Sequence, residues 1–180
     1  MIFVGSVIPE KGIEVLLHAF AEVLKDFPGA HLRVIGHYAP AYAPVLQSIL
    51  SRRGIEHRVT LHGYLEIAEV VQQFAQATLL VLPSYMDTAP NVIAEAQVAG
   101  VPVVATRVGG IPEMIEPDVS GVLVEPRSVA CLRDGILRLL NDPEFATSVA
   151  TFARGQAQRI CAPATQVAKL IEVYRTIHDL

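Results

Sequence analysis

The chain has 180 residues, 52% of them hydrophobic and 18% charged, with a formal net charge of -4. That length suits one domain with room for a small extension, and that composition excludes intrinsic disorder. No cluster of lysine and arginine stands out, which argues against a nucleic-acid partner or an anionic membrane surface.

The two cysteines, Cys131 and Cys161, lie far apart and form no CxxC pair. They predict neither a disulfide framework nor a zinc site, and a reduced, cytoplasmic setting is the default expectation. The longest apolar run, residues 77–82, is strand-sized and far short of the roughly 18 residues a membrane span needs. The first residues carry no basic leader before an apolar stretch. They open at once on what reads as a core strand, which predicts a piece of a longer protein. A membrane-peripheral setting for that longer protein therefore stays open.

Short apolar runs alternate with helical periods along the chain. Residues 2–7 form the first strand candidate. Ile13, Leu16, Leu17, Phe20, Leu24 and Phe27 then fall at spacings of three and four, one face of an amphipathic helix closed by Pro28 and Gly29. Residues 31–36 give a second strand, 41–53 a helix ended by Gly54, 58–62 a third strand and 66–76 a helix. Residues 78–83 are a near-continuous apolar strand, as expected where both faces are covered. Pro90 opens a helix over 90–99 and Gly100 closes it. Strands at 103–106 and 121–125 flank a short helix at 112–116. Helices over 128–140, 142–160 and 163–177 follow without a strand between them.

Strands alternating with helices predict an α/β fold with a Rossmann-like parallel sheet of about six strands. Helices lie on both faces, and carboxy-terminal helices follow. Residues 1–160 form the main domain, and 161–180 a terminal helix that would pack elsewhere. In such a sheet ligands sit beyond the carboxyl ends of the strands, where strand order reverses. The informative loops are therefore those that follow each strand.

The first of these holds Gly5, Ser6 and then Glu10-Lys11-Gly12. Lys11 sits where a helix begins, beside the positive end of its dipole, a place that suits a cation only if an anion shares it. Phosphate binding and a plain solvated turn lysine both fit this loop. The fourth loop carries Asp87 before a helix and Glu95 within it, separated by seven residues. At the helical rise, Glu95 lies about 8 Å from the helix start. A carboxylate there either accepts a pair of sugar hydroxyls or is simply exposed, and Asp87 either joins it or caps a turn. Gly109-Gly110 brings backbone close to a ligand or makes a tight turn. Tyr64 and Leu65 either flank a flat base or form a plain loop. His37 and His62 end strands on this side, while His18 reads as solvated. No metal-ligand spacing, D-x-D pair or G-x-S-x-G is present, so neither a metal nor another cofactor is expected.

Taken in order, these loops resemble the glycosyltransferase group 1 family, retaining enzymes of the GT-B fold, in their carboxy-terminal, donor-binding half. The resemblance spans about residues 3–140. It rests on Val4-Gly5-Ser6 with Glu10-Lys11-Gly12, on Asp87 through Glu95 followed by Ala96 and Ala99-Gly100-Val101-Pro102-Val103, on Gly109-Gly110-Ile111-Pro112-Glu113, and on Ser120-Gly121-Val122-Leu123-Val124.

The resemblance implies a nucleotide-sugar-binding domain for a UDP- or GDP-sugar. Lys11 would contact the donor diphosphate beside Gly5 and Ser6, and Glu95 the ribose hydroxyls. Asp87 would face the transferred sugar, with amides near Thr88, Ala89 and Gly110 on sugar or phosphate oxygens and Tyr64 and Leu65 beside the base. It further implies hexosyl transfer with retention, inactivity without an amino-terminal acceptor domain, and a last helix that packs on that domain. Ser6 stands where the family's arginine is usual, Asp87 where glutamate is usual, and Thr88 where glycine is usual. The alternative is therefore a non-catalytic nucleotide-sugar-binding or protein-interaction module of the same fold. The stripe Val167, Leu170, Ile171, Tyr174 and Ile177 predicts a sticky surface and a homo-oligomer of the isolated domain.

Overall fold

A computed structural model describes residues 1–162 and Val167. Six strands form the sheet: β1 (Ile2–Val4), β2 (Leu32–Ile35), β3 (Val59–Gly63), β4 (Leu80–Leu82), β5 (Val103–Thr106) and β6 (Val122–Val124). Among the described residues these α-helices accompany them: α1 (Ile13–Asp26), α2 (Ala43–Arg53), α3 (Ile67–Ala75), α4 (Asn91–Ala99), α5 (Ile111–Met114), α6 (Val129–Asn141) and α7 (Pro143–Ile160). All pairings are parallel and the order is β3-β2-β1-β4-β5-β6. The chain winds outward from β1 to β3, returns to the middle, and winds the other way from β4 to β6. Strand order thus reverses between β1 and β4, which pair through Ile2 and Leu80.

Burial explains the elements. β4 and β5 are buried along their whole length, as strands covered on both faces must be. α1 buries Ile13, Leu16, Leu17, Phe20 and Val23 and packs on α6 and α2. α4 packs on α7 across the opposite layer. Asp142 caps α7 by accepting a hydrogen bond from the Phe145 amide at 2.9 Å, with Pro143 in the first turn. Ser128 caps α6 in the same way through the Cys131 amide.

The predicted element order holds for the described residues. The strands are shorter than the apolar runs suggested, because the ends of those runs leave the ladder. Val7 is buried, yet its amide bonds to the His37 carbonyl beyond β2 rather than extending β1. The helix expected over 163–177 lies outside the described residues except for Val167, which is helical and exposed. His18 is not merely solvated: its Nδ1 accepts from Arg53 Nε at 2.9 Å. Among the described residues no helix is long and apolar enough to cross a membrane.

The β1 and β4 loops are packed backbone to backbone. Gly12 has φ of 69° and begins α1 directly against Pro83, where an added Cβ would stand 2.0 Å from the Pro83 carbonyl oxygen. A side chain fits there only if the loop moves, and left-handed backbone adds strain for any L-residue. Gly12→Ala is expected to destabilise the fold by about 2 kcal/mol or more, lowering the melting temperature by about 4–8 °C for a domain of this size. A thermal melt matching wild type would contradict the close approach.

Candidate functional site

The sheet brings the first and fourth loops together at the reversal point. Lys11 ends a short 3-10 turn (Pro9–Lys11) just before α1. Its Nζ donates to Asp87 Oδ2 at 2.5 Å, across 76 residues of sequence. The side chains are only 24% and 11% exposed, so water screens the pair far less than a surface ion pair. Ser84, fully buried, donates its hydroxyl to the same carboxylate oxygen at 3.1 Å. Thr106, at the end of β5, donates to the Ser84 carbonyl at 2.5 Å. The Tyr85 amide donates to the Glu10 carbonyl at 2.8 Å, which ties the two loops through their main chains as well.

The Gly109-Gly110 turn closes the other side of the fourth loop. The Gly110 amide donates to the Asp87 carbonyl at 3.3 Å. An added Cβ on Gly109 would stand 1.8 Å from that carbonyl, and one on Gly110 2.0 Å from the Thr88 carbonyl. The turn therefore does what a close backbone approach requires, and it does so against Asp87 and Thr88. Thr88 and Ala89 are exposed. α4 then starts at Asn91 with no side-chain cap, and in its first turn the Ile93 amide donates to the Pro90 carbonyl at 3.0 Å.

The remaining candidates lie nearby in the chain's topology but do not join this cluster. Glu95 is exposed in the second turn of α4, with no hydrogen bond or ion pair among the described residues. Its carboxylate is therefore open to solvent, an arrangement that both sequence alternatives for Glu95 share. For Asp87 the structure shows an ion pair rather than a turn cap. Ser6 is exposed and its carbonyl accepts from the Ile8 amide. Gly5 ends β1, its amide bonded to the Ile35 carbonyl. Tyr64 is largely exposed and Leu65 packs on the core. His62 keeps a buried Nε2 without a partner. The hollow lined by Met1, His31 and Arg33 and that lined by Gly100, Pro102 and Arg154 lie elsewhere among the described residues and include none of Lys11, Asp87 and Glu95. Among the described residues no three His, Cys, Asp or Glu side chains gather as metal ligands would.

Sequence reasoning missed Ser84 and Thr106, whose hydroxyls hold Asp87 and its loop. It also missed Tyr42, which donates to Glu14 Oε1 at 2.7 Å beside the first loop. Burial and that hydrogen bond push the Tyr42 phenol well above its ordinary range. Burial likewise pushes Tyr85 up, against the pull of Arg127. The signal for Ser84 was present: a polar residue directly after a fully apolar strand has either water or a built partner.

An acid and a cation are thus held together at the switch point of a doubly wound sheet, the place where folds of this kind seat their ligands. The family model described as glycosyl transferases group 1 matches residues 1–142. A D-inositol 3-phosphate glycosyltransferase of Corynebacterium efficiens is 33% identical over 174 residues, which cover 93% of this chain and 41% of that protein. Sucrose-phosphate synthase from Thermosynechococcus elongatus superposes with a TM-score of 0.87 at 26% identity, over 99% of this chain and 45% of that one. HepE of Anabaena, in complex with UDP-glucose, superposes with a TM-score of 0.84 at 25% identity, over 96% and 48%. The chain belongs to the group 1 glycosyl transferases, and its fold is the Rossmann-like carboxy-terminal domain of GT-B proteins. It spans 41% of the length of the Corynebacterium relative.

The Thr106 hydroxyl supports the loop without touching Asp87. Thr106→Val leaves the buried Ser84 carbonyl without this donor and is expected to cost about 1–3 kcal/mol of unfolding free energy. Chemical denaturation checks it, and an unchanged midpoint would contradict the support.

Proposed function

We propose that this chain is the donor-binding unit of a sugar transferase that takes a UDP- or GDP-sugar and transfers a hexosyl group with retention. The observation that carries it is the Lys11–Asp87 contact at the β1/β4 switch point. A cation and an acid on adjoining loops match the two ends of such a donor, a diphosphate and a ring of hydroxyls. The fold shared with HepE, whose structure holds UDP-glucose, supports the same ligand class.

The mechanism follows from the geometry. Lys11 turns from Asp87 to the donor diphosphate, and the freed Asp87 carboxylate accepts hydroxyls of the transferred sugar. Main-chain amides of Thr88, Ala89 and the start of α4 take phosphate or sugar oxygens, and the Gly110 backbone across the loop borders them. Glu95, exposed one turn on, accepts the ribose hydroxyls. Tyr64 and Leu65 flank the base, and Gly5 and Ser6 border the diphosphate. When the bond between the anomeric carbon and the diphosphate oxygen breaks, charge builds on the departing nucleoside diphosphate. Lys11 and the helix start stabilise it in place, so positioning and electrostatics supply most of the acceleration. No metal or other cofactor enters this scheme.

The acceptor binds an amino-terminal domain outside this chain, and the isolated chain binds donor without transferring sugar. The fraction of its relatives that the chain spans supports this division. The apolar stripe expected at Val167, Leu170, Ile171, Tyr174 and Ile177 lies outside the described residues apart from Val167. A second reading, a non-catalytic nucleotide-sugar or protein-interaction module, draws on Ser6, which is exposed and brings no cation to the first loop. Donor binding without turnover in the complete protein would favour that module.

Calorimetry with UDP- and GDP-sugars tests the proposal. One of the two is expected to bind, and Lys11→Ala and Glu95→Ala are each expected to weaken it by about 10–150-fold, the worth of a hydrogen bond to a charged group. A folded protein that binds neither at millimolar donor would overturn it.

A further inference from the structure

The loops that follow the six strands carry three lysine or arginine side chains among the described residues: Lys11, Arg107 and Arg127. Lys11 is engaged by Asp87. Arg107 lies 3.6 Å from Glu125. Arg127 has no carboxylate partner among the described residues. Its guanidinium lies over the ring of Tyr85, 4.4 Å from the centroid.

Two further features set Arg127 apart. It is exposed, yet its φ is 61°, a left-handed conformation that a long L side chain rarely adopts. Strain of this kind persists where surroundings over-determine it, and it concentrates at sites that bind. The ring it stacks on also belongs to the fourth loop, between Ser84 and Asp87. The Tyr85 amide is bonded to Glu10, the residue before Lys11. Arg127 is therefore held over an aromatic ring on the loop that joins the Lys11 and Asp87 sides of the site. A cation–π contact engages the face of a guanidinium and leaves its N–H donors free for oxygen atoms.

We propose that Arg127 is a second cation for the donor, giving its planar edge to the diphosphate while Tyr85 holds it in place. This rests on the donor reading above. The charge argument is simple: a diphosphate carries more than one negative charge, and Lys11, once turned from Asp87, supplies a single positive one. A guanidinium with no acid of its own supplies the balance, and its planar fork suits adjacent phosphate oxygens.

Arg127→Gly tests the assignment, because glycine adopts the left-handed backbone without strain while removing the charge. Relief of strain opposes the lost stacking, so the melting temperature is expected to hold. Titration with UDP and with GDP at low salt is expected to show about tenfold weaker binding than wild type, with a shallower dependence on salt. Arg127→Lys, which keeps the charge but not the fork, is expected to recover part of the loss. A loss below about threefold, with wild type binding normally, overturns this inference alone. A fall in melting temperature of more than about 5 °C accompanying the loss marks Arg127 as structural and overturns it too. Wild-type protein that binds neither nucleotide overturns the donor reading and this inference with it.

Discussion

One contact organises the carboxyl edge of this molecule: an ammonium from the first loop against a carboxylate from the fourth. The two residues stand 76 positions apart, and only the sheet order makes them neighbours. Because β1 and β4 pair in the middle of the sheet, the loops leaving them emerge side by side and diverge no further. Gly12 lets α1 begin hard against Pro83, and the Tyr85 amide closes the gap to Glu10. Behind them Ser84 and Thr106 satisfy polar groups that would otherwise be buried unpaired. The site is thus an outcome of core packing as much as of its charged residues.

The pair also sets the electrostatics of the site. For a partly buried acid and cation that face each other, mutual attraction and the Ser84 hydrogen bond offset the cost of desolvating both. They are at the same time the two groups a diphosphate sugar would separate, one toward phosphate and one toward hydroxyls. Binding in this account is an exchange of partners within a preformed frame. The frame itself, built from glycine-tight turns and hydroxyl-to-carbonyl bonds, has no reason to move.

Much of the fold was legible in the sequence because its signals are local. The three-and-four spacing from Ile13 to Leu24 predicted α1, and the apolar run before Pro83 predicted β4 as a strand covered on both faces. The ordered glycine and acid motifs pointed to the family that the comparison then showed. What was not legible depended on distant partners. Asp87 reads equally as a site acid or a turn cap until Lys11 arrives from the far side of the sheet, and Glu95 reads equally as a hydroxyl acceptor or an exposed acid because both leave it at the surface. Ser84 and Thr106 carry no motif, since a hydroxyl that supports a carbonyl has no sequence spacing to betray it. Strand ends were overestimated for a related reason: Val7 is as apolar as a ladder residue, but its amide is drawn to His37.

A crystal structure of the chain with its bound UDP- or GDP-sugar is the most direct measurement. The account predicts the diphosphate between the loops after β1 and β4, within hydrogen-bonding reach of Lys11 Nζ, with Asp87 turned to the sugar. A donor seated at the opposite end of the sheet, in the hollow lined by Met1, His31 and Arg33, with Lys11 still paired to Asp87, would contradict it.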